Sequence, residues 1–127
     1  MKMTDEQAQA LGARAMACKG YRWMPGMTDG TAGARCVRSR GGSCVWAVDD
    51  WLSDWCDLGE GEWPDFRDPA TLGCLLALVR EAWGDPDLGV RRRTKGAWQV
   101  LRRGGAPSVC EGASEAEALV VALEAAP

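Results

Sequence analysis

The chain is predicted to be an α+β protein, an antiparallel sheet layered between helices, with three helices and about five to six strands in a single domain over residues 1–127. Three observations predict it. Apolar residues recur at helical spacing near the start, in the middle and at the end of the chain. Short strand-like runs separated by Gly-containing turns lie between those stretches. The links joining the runs are short, which favours antiparallel pairing. A chain of 127 residues fits one domain, and a domain of this size buries roughly two-thirds of its unfolded surface.

Thr4 and Gln7 form a capping-box pattern, and Ala8, Leu11, Ala15 and Cys18 follow at helical spacing, so the first helix is predicted over residues 5–19. After Gly20, Tyr21-Arg22-Trp23-Met24 alternates like a strand and Pro25-Gly26 closes it in a turn. Residues 28–34 carry Asp29-Gly30 and Gly33 and no large apolar side chain, which predicts a loop. Residues 35–38 and Ser43–Val48 flank Gly41-Gly42 as a hairpin. From 49 to 68 the chain becomes an acidic loop, with Asp49, Asp50, Asp54, Asp57, Glu60, Glu62, Asp65 and Asp68 against Arg67 alone.

The clearest helix comes next, with Asp68 as N-cap, Pro69 in the first helical position, Leu72, Leu75, Leu76, Val79 and Trp83 in phase, and Gly84 as the stop. Cys74 and Leu78 are apolar as well, so this helix is expected to pack on more than one side, against the middle of a sheet. Residues 88–94 and 98–102, joined through Lys95-Gly96, and a short run at 108–110 form a second antiparallel group. Ser114 and Glu117 then open a third helix carrying Ala116, Leu119, Val120 and Leu123. No sequence repeat is present.

Composition narrows the function. Apolar residues at 46% and charged residues at 26% place the chain among folded globular proteins. A net charge of −3 and a pI near 5.0 argue against general nucleic-acid binding. The strongest apolar stretch, around residues 72–79, falls well short of the roughly 20 residues that span a bilayer. The start of the chain turns acidic at once and lacks the apolar core of a secretory signal. The expected location is therefore the cytoplasm, away from membranes. Cys18, Cys36, Cys44, Cys56, Cys74 and Cys110 are scattered, with no CxxC pair, and are expected to be reduced thiols serving mostly as small core residues.

Catalysis and metal binding find little support. The chain has no histidine, so Ser-His-Asp and Cys-His machinery is excluded and a zinc site would need cysteines and carboxylates alone. Neither a GxGxxG turn nor a P-loop is present. Asp50 and Asp54 could serve as an acid and base pair or hold a cation, but they match no calcium loop, and acidic loops are commonly solvated surface. Cys56 stands among carboxylates that disfavour a thiolate, a poor setting for a nucleophile. No enzyme, cofactor or metal is expected.

Two features remain. The chain has seven tryptophans against one Phe and one Tyr. Trp23, Trp83 and Trp98 fall at core-facing positions, whereas Trp51, Trp55 and Trp63 sit among charges in the acidic loop and offer flat faces for a base or a partner. The second feature is basic: Arg91-Arg92-Arg93-Thr94-Lys95 with Arg102-Arg103 across the hairpin, able to fork onto a phosphate or an acidic surface. A solvated edge hairpin guarded by its charges, or a counterpart to the acidic loop within or between protomers, reads the same residues differently.

The runs AMACKGYRWMPGM over residues 15–27, DFRDPATLGCLLALVREAW over 65–83 and ASEAEAL over 113–119 resemble small phage and prophage proteins of the phage ABA sandwich type. The likeness covers roughly half the chain. It implies a sheet between helical layers and a viral or prophage origin, and no chemistry. Residues 28–63 depart from it most. The expectation is thus a non-enzymatic accessory binding protein, as a monomer or a homo-oligomer. In one form it is a counter-defence factor that sequesters a nucleotide-like signal, with Arg91, Arg93 and Arg102 on phosphate and Trp51, Trp55 and Trp63 on the base. In the other it is a protein-protein inhibitor or assembly module that places the acidic, Trp-rich loop on a host protein.

Overall fold

A computed structural model of the chain describes residues 2–57, 62–93, 96–102 and 110–127. The expected α+β class is what it shows. Three helices, α1 (Asp5–Met16), α2 (Pro69–Trp83) and α3 (Glu115–Ala125), accompany two antiparallel sheets. One sheet holds β1 (Arg35–Arg40), β2 (Ser43–Val48), β3 (Trp51–Leu52) and β4 (Cys56–Asp57), and the other β5 (Gly89–Arg92), β6 (Trp98–Leu101) and β7 (Cys110–Gly112). The chain divides into two compact units, each built from two stretches of sequence: Met1–Ala13 with Arg22–Cys74, and Arg14–Tyr21 with Leu75–Pro127.

In the first unit the capping box forms reciprocally, the Thr4 amide donating to Gln7 Oε1 at 3.0 Å and the Gln7 amide to Thr4 Oγ1 at 3.2 Å. Helix α1 ends at Met16, before the expected residue 19. Residues 21–24 form no strand. Their alternation reflects burial of Trp23 alone, which meets Trp46 edge to face at 5.1 Å, while the Tyr21 amide donates to Cys18 in a turn rather than to a ladder. The 28–34 segment is a loop, tied by isolated bridges from Thr28 to Arg35 and from Asp29 to Pro64. Asp29, buried, holds it: its carboxylate accepts from the amides of Thr31 (3.0 Å), Ala32 (3.3 Å) and Trp63 (3.3 Å). The β1–β2 hairpin forms around Gly41-Gly42 as read from sequence.

Asp68 caps α2 as expected. Its Oδ2 accepts from the Thr71 amide at 3.0 Å and from Thr71 Oγ1 at 2.8 Å, and both oxygens accept from the Arg35 guanidinium. Burial pushes the Asp68 carboxyl up, but the hydrogen bonds from Arg35 and Thr71 together outweigh it and hold the group below its ordinary value. Gly84 ends α2 with φ at +62°. The fully buried residues of α2 are Thr71, Leu75, Leu78 and Val79, one stripe at helical spacing, and Leu72, Cys74, Leu76 and Trp83 are half-buried.

The second unit pairs β5, β6 and β7 in order, with α3 against all three strands. Ser114 caps α3, its Oγ accepting from the Glu117 amide at 3.1 Å. Ala116, Ala118, Leu119, Val120, Ala122 and Leu123 are buried on α3, together with Val100 and Cys110 of the sheet. The closeness of this packing explains Gly112: a β-carbon there would overlap the backbone of Glu117 and Ala118. The third strand lies at 110–112, two residues beyond the run read at 108–110, whose Ser108 and Val109 lie outside the described residues.

Candidate functional site

The first sheet is organised around β2, whose neighbours on both sides break register at the same level. Across β1 the register shifts between Cys36 and Arg38, so Val37 is an extra residue. On the other side Ala47 pairs with Leu52 and Cys44 with Cys56, so three steps along β2 answer four on the β3–β4 strand. Ser53 anchors that second irregularity: its hydroxyl accepts from the Trp46 amide at 2.8 Å and its amide donates to the Trp46 carbonyl at 2.9 Å. Bulges bend a strand and re-aim its side chains. Two of them facing each other across Val45 open a groove of about 500 Å³, lined by Val37, Arg38, Val45, Leu52, Asp54 and Trp55, with Ser53.

The groove is apolar in its floor and charged at its banks. Leu52 is 63% exposed and Trp55 42%. Arg38 and the Asp54 carboxylate have no ion-pair partner among the described residues. Arg40 stacks on Trp55, its guanidinium carbon 4.5 Å from the ring centroid. At the end of the β2–β3 hairpin, Asp49 turns the chain with φ at +51°, and Asp49 and Asp50 are exposed.

The three loop tryptophans do not form one surface. Trp55 lines the groove. Trp51, 63% exposed, pairs with Val48 and therefore points to the sheet face opposite Leu52. Trp63 is 8% exposed and its ring lies on Gly30, where a β-carbon would fall inside it, so it is a packing residue and its face is closed to a ligand. Sequence spacing could not separate the three, because all stand among the same carboxylates.

The basic residues of the second unit divide as well. Arg91, Gln99 and Glu111 lie opposite one another on one face of the sheet. Arg91 Nη2 donates to Gln99 Oε1 at 3.4 Å, Gln99 Nε2 to Glu111 Oε1 at 3.1 Å, and Arg93 Nη1 to the same Glu111 oxygen at 2.8 Å. Arg102 instead lies over Trp83 at 5.5 Å with Nε 3.9 Å from the buried Asp85. The structure thus links Arg91 and Arg93 through Gln99 and Glu111 and places Arg102 in separate company. Thr94, Lys95 and Arg103 of the basic hairpin, and Glu60 of the acidic loop, lie outside the described residues. A second depression in this unit, about 470 Å³ and lined by Arg14, Cys18, Lys19, Leu123 and Glu124 among others, has its Arg14 and Glu124 paired at 2.7 Å.

Among the described residues no cluster of three Cys, Asp or Glu side chains is placed to hold a metal ion, and no helix is long and apolar enough to cross a membrane. Comparison of the chain with family models, with curated proteins and with solved structures finds no match to any of them.

Proposed function

We propose that the chain is a non-enzymatic protein-protein module, an inhibitor or assembly factor, whose working surface is the groove between the two bulges of the first sheet. The observation that carries this reading is the groove itself: an apolar floor and wall left open, with Arg38 and Asp54 at its edges and no ion-pair partner for either among the described residues. Its partner is a protein segment that seats an apolar side chain on Val45 between Leu52 and Trp55, with a basic group toward Asp54 and an acidic group toward Arg38. Interfaces have this anatomy, an apolar centre within a polar rim. A phage or prophage origin and a counter-defence role belong to the same proposal and rest on the likeness of residues 15–27, 65–83 and 113–119.

A nucleotide-like ligand is the weaker reading. Arg40 already covers a face of Trp55, Asp54 repels phosphate, Arg93 is bound to Glu111, and Arg102 stacks away from Arg91 and Arg93.

The test is affinity capture from infected cells with wild type, Leu52→Ser, Asp54→Lys and Arg91→Ala/Arg93→Ala proteins, followed by titration of the captured protein in purified form. The expected result is one partner lost with Leu52→Ser, weakened about tenfold by Asp54→Lys and by added salt, and kept by the double Arg variant. Capture insensitive to Leu52 and Asp54, no captured protein, or a nucleotide-sized mass retained on the native protein and lost with the Arg variants overturns it.

A further inference from the structure

Three cysteines lie on one face of the first sheet. Cys44 of β2 stands directly across from Cys56 of β4, and Cys36 of β1 pairs with Trp46, two residues further along β2. Side chains directly opposite in an antiparallel pair have β-carbons about 4.5–5.5 Å apart, whereas diagonal neighbours stand about 7–8 Å apart. A disulfide holds its β-carbons about 3.5–4.5 Å apart, a small approach from the first range and a large one from the second. Cys56 thus stands directly opposite Cys44, while the Cys36 thiol also lies within hydrogen-bond reach of Cys44, so access decides between the two. Access, and not activation by its acidic stretch, singles out Cys56: it is exposed, its thiol donating to the Asp54 carbonyl at 3.3 Å, while Cys44 and Cys36 are fully buried.

We propose that Cys56 and Cys44 are a redox modification site, Cys56 the entry thiol and Cys44 the resolving thiol, bridged when a low-molecular-weight disulfide acts on the protein. The Cys56 thiolate attacks one sulfur of the small disulfide, forming a mixed disulfide and releasing one small thiol. The Cys44 thiolate then attacks the Cys56 sulfur, forming the Cys44–Cys56 bond and releasing the second small thiol. The two cysteines are oxidised, the small disulfide is reduced to two thiols, and the two protein protons end on those thiols. Desolvation holds the Cys44 thiol above its ordinary value, and the hydrogen bond from the Cys36 thiol, itself pushed up to about 12 by burial, acts in the opposite direction by favouring the Cys44 thiolate. The bond closes residues 44–56, including Leu52, Asp54 and Trp55, into a covalent ring, so oxidation restrains the bank of the groove. The site itself does not depend on what the groove binds.

The test incubates the native protein with oxidised glutathione at mildly alkaline pH, then reads intact mass and linked peptides. Wild type is expected to lose the mass of two hydrogens, with the link mapping to Cys44 and Cys56. Cys44→Ala is expected to stop at a glutathionyl adduct on Cys56, and Cys56→Ser, altered at an exposed position, to form no bridge. A glutathionyl adduct on Cys56 that persists in wild type, a bridge that maps to Cys36, or no reaction at Cys56 overturns the proposal, and the Cys56→Ser protein keeps the test decisive should Cys44→Ala fail to fold.

Discussion

The two sheets differ in how they treat the charges they carry. On the second sheet, Arg91, Gln99, Glu111 and Arg93 answer one another in a chain of hydrogen bonds across the three strands. On the first, Arg38 and Asp54 stand at the two banks of an apolar groove with no ion-pair partner among the described residues. The basic hairpin is the louder feature of the sequence, yet Arg93 is held by Glu111 and Arg91 by Gln99. A surface whose charges are internally satisfied has little to offer a partner, because binding would first have to break those bonds. The quieter groove keeps its capacity.

Four substitutions sharpen or break that contrast. The largest effect belongs to the covered face of the second sheet, where Gly112→Ala forces a methyl into the backbone of α3 and is expected to cost about 3 kcal/mol, read as a lowered urea midpoint. A cost below about 1 kcal/mol would mean that α3 yields easily and that the close fit is not what holds this unit together. Next comes the charged ladder: Glu111→Ala leaves the buried Gln99 amide and Arg93 without their acceptor, an expected loss of about 1–2 kcal/mol. If stability stays level, the ladder is solvated surface and Arg91 and Arg93 return as candidates for a ligand.

Asp68→Asn keeps a capping side chain but removes the charge that Arg35 answers, with an expected loss near 1 kcal/mol at neutral pH. Because the folded-state value of Asp68 is depressed, its contribution is full above the unfolded value of about 3.9 and is lost as pH falls through the lower folded value. Wild type and variant should therefore converge in acid, and a gap that persists there would assign the difference to geometry rather than charge. The smallest effect is expected in the groove, where Leu52→Ser, at a 63% exposed position, should alter stability by less than about 0.5 kcal/mol. A larger loss would show that Leu52 is part of the fold and not held open for a partner.

Much of the local structure is legible in the sequence. Thr4 with Gln7, Asp68 with Pro69, Gly84, and Ser114 with Glu117 mark helix ends through hydrogen bonds that span three or four residues, and the structure forms them. Where sequence reading failed, the alternation had another cause. Trp23 is buried by a distant residue, Trp46, and a single buried indole between an exposed Arg22 and a half-buried Met24 imitates a strand. The site was legible only in outline. Trp55 and Asp54 belong to the acidic, Trp-rich stretch singled out from sequence, but Val37, Arg38 and Val45 carry no signal there, since a bulge is an offset between two strands and leaves no mark on either one.

The sequence by itself determined the α+β class, the three helix starts, the β1–β2 hairpin and the absence of histidine chemistry, because caps, turns and helical periods act between residues a few positions apart. Tertiary structure alone decided that Trp63 is packed on Gly30 while Trp51 is left outside, that Arg93 is committed to Glu111, and that two bulges meet across Val45. Those outcomes depend on which distant strand or loop arrives beside each residue, and a residue's neighbours in space set its burial, its charge partner and its availability.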